Sequence, residues 1–250
     1  MYERSAESIA GGERYRRWRD AALAQINGHP SSDVLAKWGA AVRSYDVWQL
    51  NMLEMLALLD DGERDQEFIM AIFKDRDEKT PQVRKFWGQF DQRMHNVVAS
   101  TGTLIAMQLR LTKRLPDEFV SEYKVHLQPI LNDPQSMLVS ELRNYTLHRG
   151  HAPIGTTTTF LSGEVSNRFE IRPDVLLKDP KLAVPTKRYL SSLAEDIPLS
   201  PVLRKYMTQM TALYGWLNAQ YDRVIEPHRL AVNVLRRAYD DMGSEPPAEF

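Results

Sequence analysis

Phe90-Asp91-Gln92-Arg93-Met94-His95-Asn96-Val97-Val98-Ala99-Ser100-Thr101-Gly102-Thr103-Leu104-Ile105-Ala106-Met107-Gln108-Leu109-Arg110-Leu111 carries one stripe along its whole length. Phe90, Met94, Val97, Thr101, Leu104, Gln108 and Leu111 alternate steps of four and three, a spacing that returns each residue to one helix face. The stripe lasts about six turns. Thr80-Pro81 opens the segment upstream, with proline at a first helical position where its missing N–H is not needed. A helix this long with a single stripe buries it against antiparallel neighbours, as in a bundle.

The same periodicity spreads outward. Glu13 to Ile26 reads as a basic first helix, and Gly28-His29-Pro30-Ser31-Ser32-Asp33 as a turn whose Ser or Asp caps the next. That next helix spans about Val34 to Leu59 and is closed by Asp60-Asp61-Gly62, with a shorter one over Glu63 to Phe73. Downstream, Leu115-Pro116-Asp117 caps a helix from Glu118 to Leu131. Asn132-Asp133-Pro134 starts another that reaches about His148 and stops at Gly150 and Pro153. Thr156 to Leu161 is β-branched, Ser162-Gly163-Glu164 is a turn, and Val165 to Arg172 alternates Phe169 and Ile171 with Glu170 and Arg172; together they predict a hairpin. Pro173 to Ile197 reads as a loop with a short helix. A last helix from near Pro201 should kink or break at Pro227, where a backbone donor is lost. The fold expected is all-α: a long-helix bundle with one β-hairpin insertion, over 156–172, after the 134–148 helix. Residues 1–75 are expected as N-terminal helices packing on a bundle of 76–242, and 243–250 as a disordered tail.

Composition narrows the functional classes. The 250 residues are 43% hydrophobic, enough to bury a core without disulfides. A formal net charge of −1 argues against a protein that coats nucleic acid nonspecifically, while leaving room for a local basic site. Absence of cysteine excludes disulfides, thiolate metal sites and a cysteine nucleophile. No apolar run is long enough to span a bilayer and the N-terminal charges do not match a signal peptide, so a cytoplasmic location without membrane contact is expected.

There is no Gly-rich phosphate loop, no Gly-x-Ser-x-Gly elbow and no His-Glu-x-x-His helix. The six histidines show no metal-ligand spacing, so neither metal nor cofactor is expected. Glu122 and His126 stand at i and i+4, but a solvated helix face explains them. Asp60-Asp61 and Asp75-Arg76-Asp77-Glu78 read as solvated loop charge, and the Met52, Met55, Met207 and Met210 stripes as core filling. Arg14, Arg16, Arg17 and Arg19 read as an exposed helix face.

Leu142-Arg143-Asn144-Tyr145-Thr146-Leu147-His148-Arg149-Gly150 stands apart. Its Arg143-Asn144 pair is followed by His148, an R-x4-H pattern, and it lies behind a helix carrying His95-Asn96 and small residues to Ser100. This segment resembles the motif of the HEPN superfamily, and its surroundings resemble a group of bacterial helical proteins of that type, over about His95 to Ile154. Arg223 and His228 repeat the spacing, but without the Asn and with Pro227 inside. A plainer reading also stands for the first match: His148 and Arg149 are cations in a last helical turn, favoured by the dipole, with Gly150 as C-cap.

The resemblance implies a metal-independent endoribonuclease, in the role of a toxin or phage-defence effector, whose site forms where two copies meet across a two-fold axis. It thus implies a homodimer, RNA as substrate and a cognate antitoxin or inhibitor. An imidazole exchanges a proton near neutral pH, so His148 would act on the 2′-hydroxyl or the leaving oxygen. Arg143 would fork onto phosphate oxygens, and Asn144 would orient the phosphate or the imidazole. Arg149 and His151 are auxiliary candidates, and Tyr145 could stack on a base or fill core. On a regular helix Arg143 and His148 stand roughly 140° apart, so a shared face needs a distorted last turn. HEPN-like proteins also include noncatalytic dimerisation or nucleotide-binding interaction modules, the alternative function.

Overall fold

The computed structural model of the chain describes residues 6–74, 80–161 and 164–243. In order these form α1 (Ala6–Gly28), α2 (Pro30–Arg64), α3 (Gln66–Lys74), α4 (Pro81–Thr112), α5 (Asp117–Leu131), α6 (Pro134–Arg149), β1 (Ile154–Leu161) and β2 (Glu164–Ile171). They continue with α7 (Pro173–Leu176), α8 (Val184–Ser191), β3 (Ile197–Pro198), α9 (Leu199–Ala219), α10 (Tyr221–Val224) and α11 (Glu226–Asp240). The mostly helical fold read from the sequence is the fold observed. The expected turn at 162–163, the acidic cluster at 75–78 and the tail from 244 lie outside the described residues.

Helices α2, α4, α6 and α9 close a ring of contacts, α2 with α4, α4 with α6, α6 with α9 and α9 with α2. Every member of the Phe90–Leu111 stripe is buried inside it. Its two polar members have partners: Trp48 Nε1 donates to Thr101 Oγ1 at 3.1 Å, and the Tyr123 hydroxyl donates to Gln108 Oε1 at 3.0 Å. Buried polar groups are tolerated where they are hydrogen-bonded, so the stripe keeps its period without being wholly apolar. Helix α5 packs on α6 and α9, and α11 packs on α2 with α1 beside it.

Helix α2, within residues 1–75, is one of the four helices of the ring. Three expectations need correction. Asp60-Asp61-Gly62 does not close α2, which runs on to Arg64. Gly62 is there for room: a Cβ would stand 2.9 Å from the rings of Phe169 and Phe86. The α2 cap is His29, whose Nδ1 accepts from Ser31 N at 3.1 Å, and not a serine or aspartate. Pro227 sits in the first turn of the new helix α11 and does not kink an older one, since the chain has already broken after Ala219. The hairpin, moreover, is the larger part of a three-stranded antiparallel sheet in the order β1-β2-β3, with Glu170 opposite Pro198 and Ile171 opposite Ile197. β3 begins at Ile197, where the stretch expected as a loop with a short helix ends; a strand of two residues has no period to detect.

Asp133 fixes the start of α6, its carboxylate accepting from Gln135 N at 3.2 Å. Lys205 Nζ lies 2.9 Å from the same group and Gln209 Nε2 donates to it at 3.0 Å. Burial works against ionisation, but Lys205, the Gln135 amide and Gln209 together hold the carboxyl below its usual range. Asp133→Ala is therefore expected to lower stability by about 1–2 kcal/mol, chiefly through the lost cap. Because the folded pKa is depressed, this contribution is present above the ordinary carboxylate range and is lost as pH falls through the folded value. Denaturant titrations of parent and variant should differ at pH 7 and converge in acid.

Candidate functional site

Leu138, Val139 and Leu142 are buried and press α6 into the bundle, which fixes where the following residues point. The helix stays regular to Arg149 and ends at Gly150, whose φ of 108° suits only glycine and whose N–H donates to Thr146 O at 3.3 Å. The distorted last turn that a shared face would need is absent. Arg143 and His148 keep their separation of roughly 140° around the axis.

Arg143 lies half-buried against α4. Its guanidinium passes over Gly102, where a Cβ would fall 2.6 Å from Nε and 2.7 Å from Nη2. Nε is buried without a hydrogen-bond partner, and Nη1 donates to Asn144 Oδ1 at 3.5 Å, a long contact. Among the described residues no carboxylate pairs with Arg143. Gly102→Ala would push the guanidinium away while leaving the helix intact, since Ala is the better helix former. It is expected to reduce any activity that depends on Arg143 by tenfold or more (about 1.4 kcal/mol or above). Parallel melting curves should show little change; an unaltered rate would show that the position of the guanidinium does not matter.

His148 opens on a different side. With Glu141, Asn144, Tyr145, Leu176, Asp179 and Lys181 it lines a cleft of about 220 Å³ between α6 and the α7–α8 connection. Arg149 is tied beside it, Nη2 lying 3.3 Å from Asp179 Oδ1. The Lys181 amide, then Arg149, holds the Asp179 carboxyl below its usual range against some burial. His151 belongs to a third place. Its Nδ1 is 2.8 Å from Asp91 Oδ2 on α4, at the rim of a cleft of about 350 Å³ shared with His95 and Thr146.

Of the six candidates, then, Asn144, Tyr145 and His148 share one cleft, Arg149 borders it in an ion pair, Arg143 rests on α4, and His151 is elsewhere. Tyr145 is neither core nor free, being half-buried and packed against the core edge. Sequence reasoning missed Gly102, Asp179 and Asp91. Gly102 had a signal: glycine inside a helix is unfavourable and asks for a packing reason. Asp91 and Asp179 had none, as their partners are set by tertiary packing.

The other clusters have structural duties. Glu122 forks with Arg223 at 2.7 and 3.1 Å, and His126 stacks on Trp216 at 4.2 Å between ring centres. His228 Nδ1 meets Ser31 Oγ at 3.1 Å, so both members of the second R-x4-H match are engaged in packing. Asp60 holds Arg204 at 2.6 Å, and Arg19 lies over the Tyr239 ring at 4.3 Å. Among the described residues no three His, Asp or Glu side chains group as metal ligands, and no helix is long and apolar enough to cross a membrane.

No protein-family model, curated protein or solved structure matches this chain.

Proposed function

We propose that the chain is a metal-independent endoribonuclease of HEPN type, acting in the cytoplasm as a toxin or phage-defence effector held in check by a cognate antitoxin or inhibitor. One observation carries the reading: Arg143 is held in place on Gly102 without a carboxylate partner among the described residues, next to exposed Asn144 and five residues before exposed His148. An unpaired, positioned guanidinium is a receptor for phosphate oxygens. Because Arg143 and His148 diverge on one helix, the reading requires a homodimer in which α6 of a second copy completes the set.

In that site His148 removes the proton of the 2′-hydroxyl, the 2′-oxygen forms a bond to phosphorus, and the bond from phosphorus to the 5′-oxygen breaks. The protonated imidazole of the pair returns a proton to the leaving 5′-oxygen. Arg143 neutralises the charge that builds on the nonbridging oxygens, and Asn144 fixes their orientation. The products are a 2′,3′-cyclic phosphate and a 5′-hydroxyl. An RNA carrying a single 2′-deoxy residue at the preferred cleavage position tests the step: cutting at that position should vanish. Continued cutting there would exclude the internal nucleophile.

The same divergence also favours a second reading, a noncatalytic interaction module that uses α6 as a dimer contact or binds a nucleotide. Its mark would be RNA left intact while substitutions at Arg143 and His148 alter dimerisation.

A further inference from the structure

A cavity of about 130 Å³ lies among α4, α5, α6 and α9, apart from the α6 C-terminus. Ile105, Leu127, Ile130, Met137 and Met210 supply apolar walls, and Leu109 and Leu131, 56% and 50% exposed, mark the side open to solvent. Among the described residues no charged side chain lines it. A carboxylate or ammonium placed there would lose its hydration without a counter-ion, so a charged occupant is excluded. In size it is close to apolar cavities of about 150 Å³ that take up benzene.

Its polar groups are few and incompletely used. Tyr206 lines the cavity at 3% exposure, its ring held edge-on to Trp48 at 5.9 Å between centres. Its hydroxyl has no hydrogen-bond partner among the described residues, and burial alone pushes its pKa up to about 12. Gln108, 4% exposed, accepts from the Tyr123 hydroxyl at Oε1, while its Nε2 is buried without a hydrogen-bond partner among the described residues. Tyr206 is buried as a residue, but its hydroxyl is not sealed off as Gln108 Nε2 is, so this donor is open to a partner from the apolar space that the side chain lines. Ligand sites have that composition: apolar lining with a small number of placed polar groups.

We propose that this cavity binds a small uncharged molecule with an apolar ring or short chain and one carbonyl-type acceptor, which receives the Tyr206 O–H. Met137 and Met210 are built-in reporters, and Met52 and Met55 in α2 serve as controls within the same core. Cyclohexanone, titrated into the full chain labelled at methionine methyls, should shift Met137 and Met210 saturably and leave Met52 and Met55 nearly unmoved. Tyr206→Phe should weaken cyclohexanone by about fivefold, the worth of one neutral hydrogen bond, and leave the affinity for cyclohexane unchanged. The unliganded variant should melt no lower than the parent, because no hydrogen bond is removed. Ser140→Leu, at the wall, should abolish the shifts by filling the space; if that variant misfolds, the Tyr206→Phe comparison decides alone. Absence of saturable shifts at Met137 and Met210, or a cyclohexanone affinity unaffected by Tyr206→Phe, would overturn the proposal.

Discussion

Arg143→Ala is expected to lower the rate of RNA cleavage by about 10²–10³-fold, the loss seen when one positioned donor to a transition-state oxyanion is removed. The fold should survive the change. Arg143 has a buried Nε without a partner and no carboxylate among the described residues, so its removal breaks no ion pair and strands no buried charge. Arg143→Lys should not restore activity, since an ammonium cannot present the planar fork and would not lie along Gly102 in the same way. Circular dichroism and a melting curve, run beside single-turnover cleavage, separate the chemical loss from unfolding. A variant as fast as the parent would remove Arg143 from the site.

The largest stability effect is expected at Phe169→Ala. Phe169 is fully buried and joins the sheet to the bundle, stacking on Phe86 at 5.3 Å and Phe90 at 5.8 Å between ring centres, and filling the space left by Gly62. Truncating a buried phenylalanine costs about 3–5 kcal/mol through lost transfer energy and the cavity left behind. For a domain of this length that corresponds to a fall of about 10 °C in Tm. A calorimetric scan checks it, and a shift of only one or two degrees would mean that the sheet is not coupled to the core. Gly62→Ala, tried beside it, should also lower stability, here by crowding the same rings where Phe169→Ala leaves a cavity.

Phe169 also marks what could be read in advance. Its alternation with Glu170 placed it on the inner face of a strand, as the stripe from Phe90 to Leu111 placed its helix in the core. Both are local periods, and a period survives into the fold because each repeat meets the same environment. Boundaries set by one contact were not legible. Gly62 looked like a helix stop and proved to be a gap for two rings, and His29 replaced the expected serine or aspartate as a cap.

The candidate site divides along the same line. The end of α6 at Gly150 followed from glycine and proline chemistry, and its regular last turn fixed the divergence of Arg143 and His148. The Arg149–Asp179 pair, the His151–Asp91 pair and the seat of Arg143 on Gly102 each join residues 30 or more positions apart. Such pairs depend on how α4, α6 and the α7–α8 connection pack, and one sequence carries no pattern for that. They turn a list of six residues into one cleft, one ion pair at its border, one unpaired guanidinium and one histidine elsewhere.

Cleavage of end-labelled single-stranded RNA and transfer RNA by the purified protein in EDTA, beside His148→Ala, tests the central claim most directly. The account predicts that the parent cuts without metal and that His148→Ala is slower by about 10²–10⁴-fold with an unchanged melting curve. Equal cleavage by the two proteins, or RNA left intact by both, would contradict it.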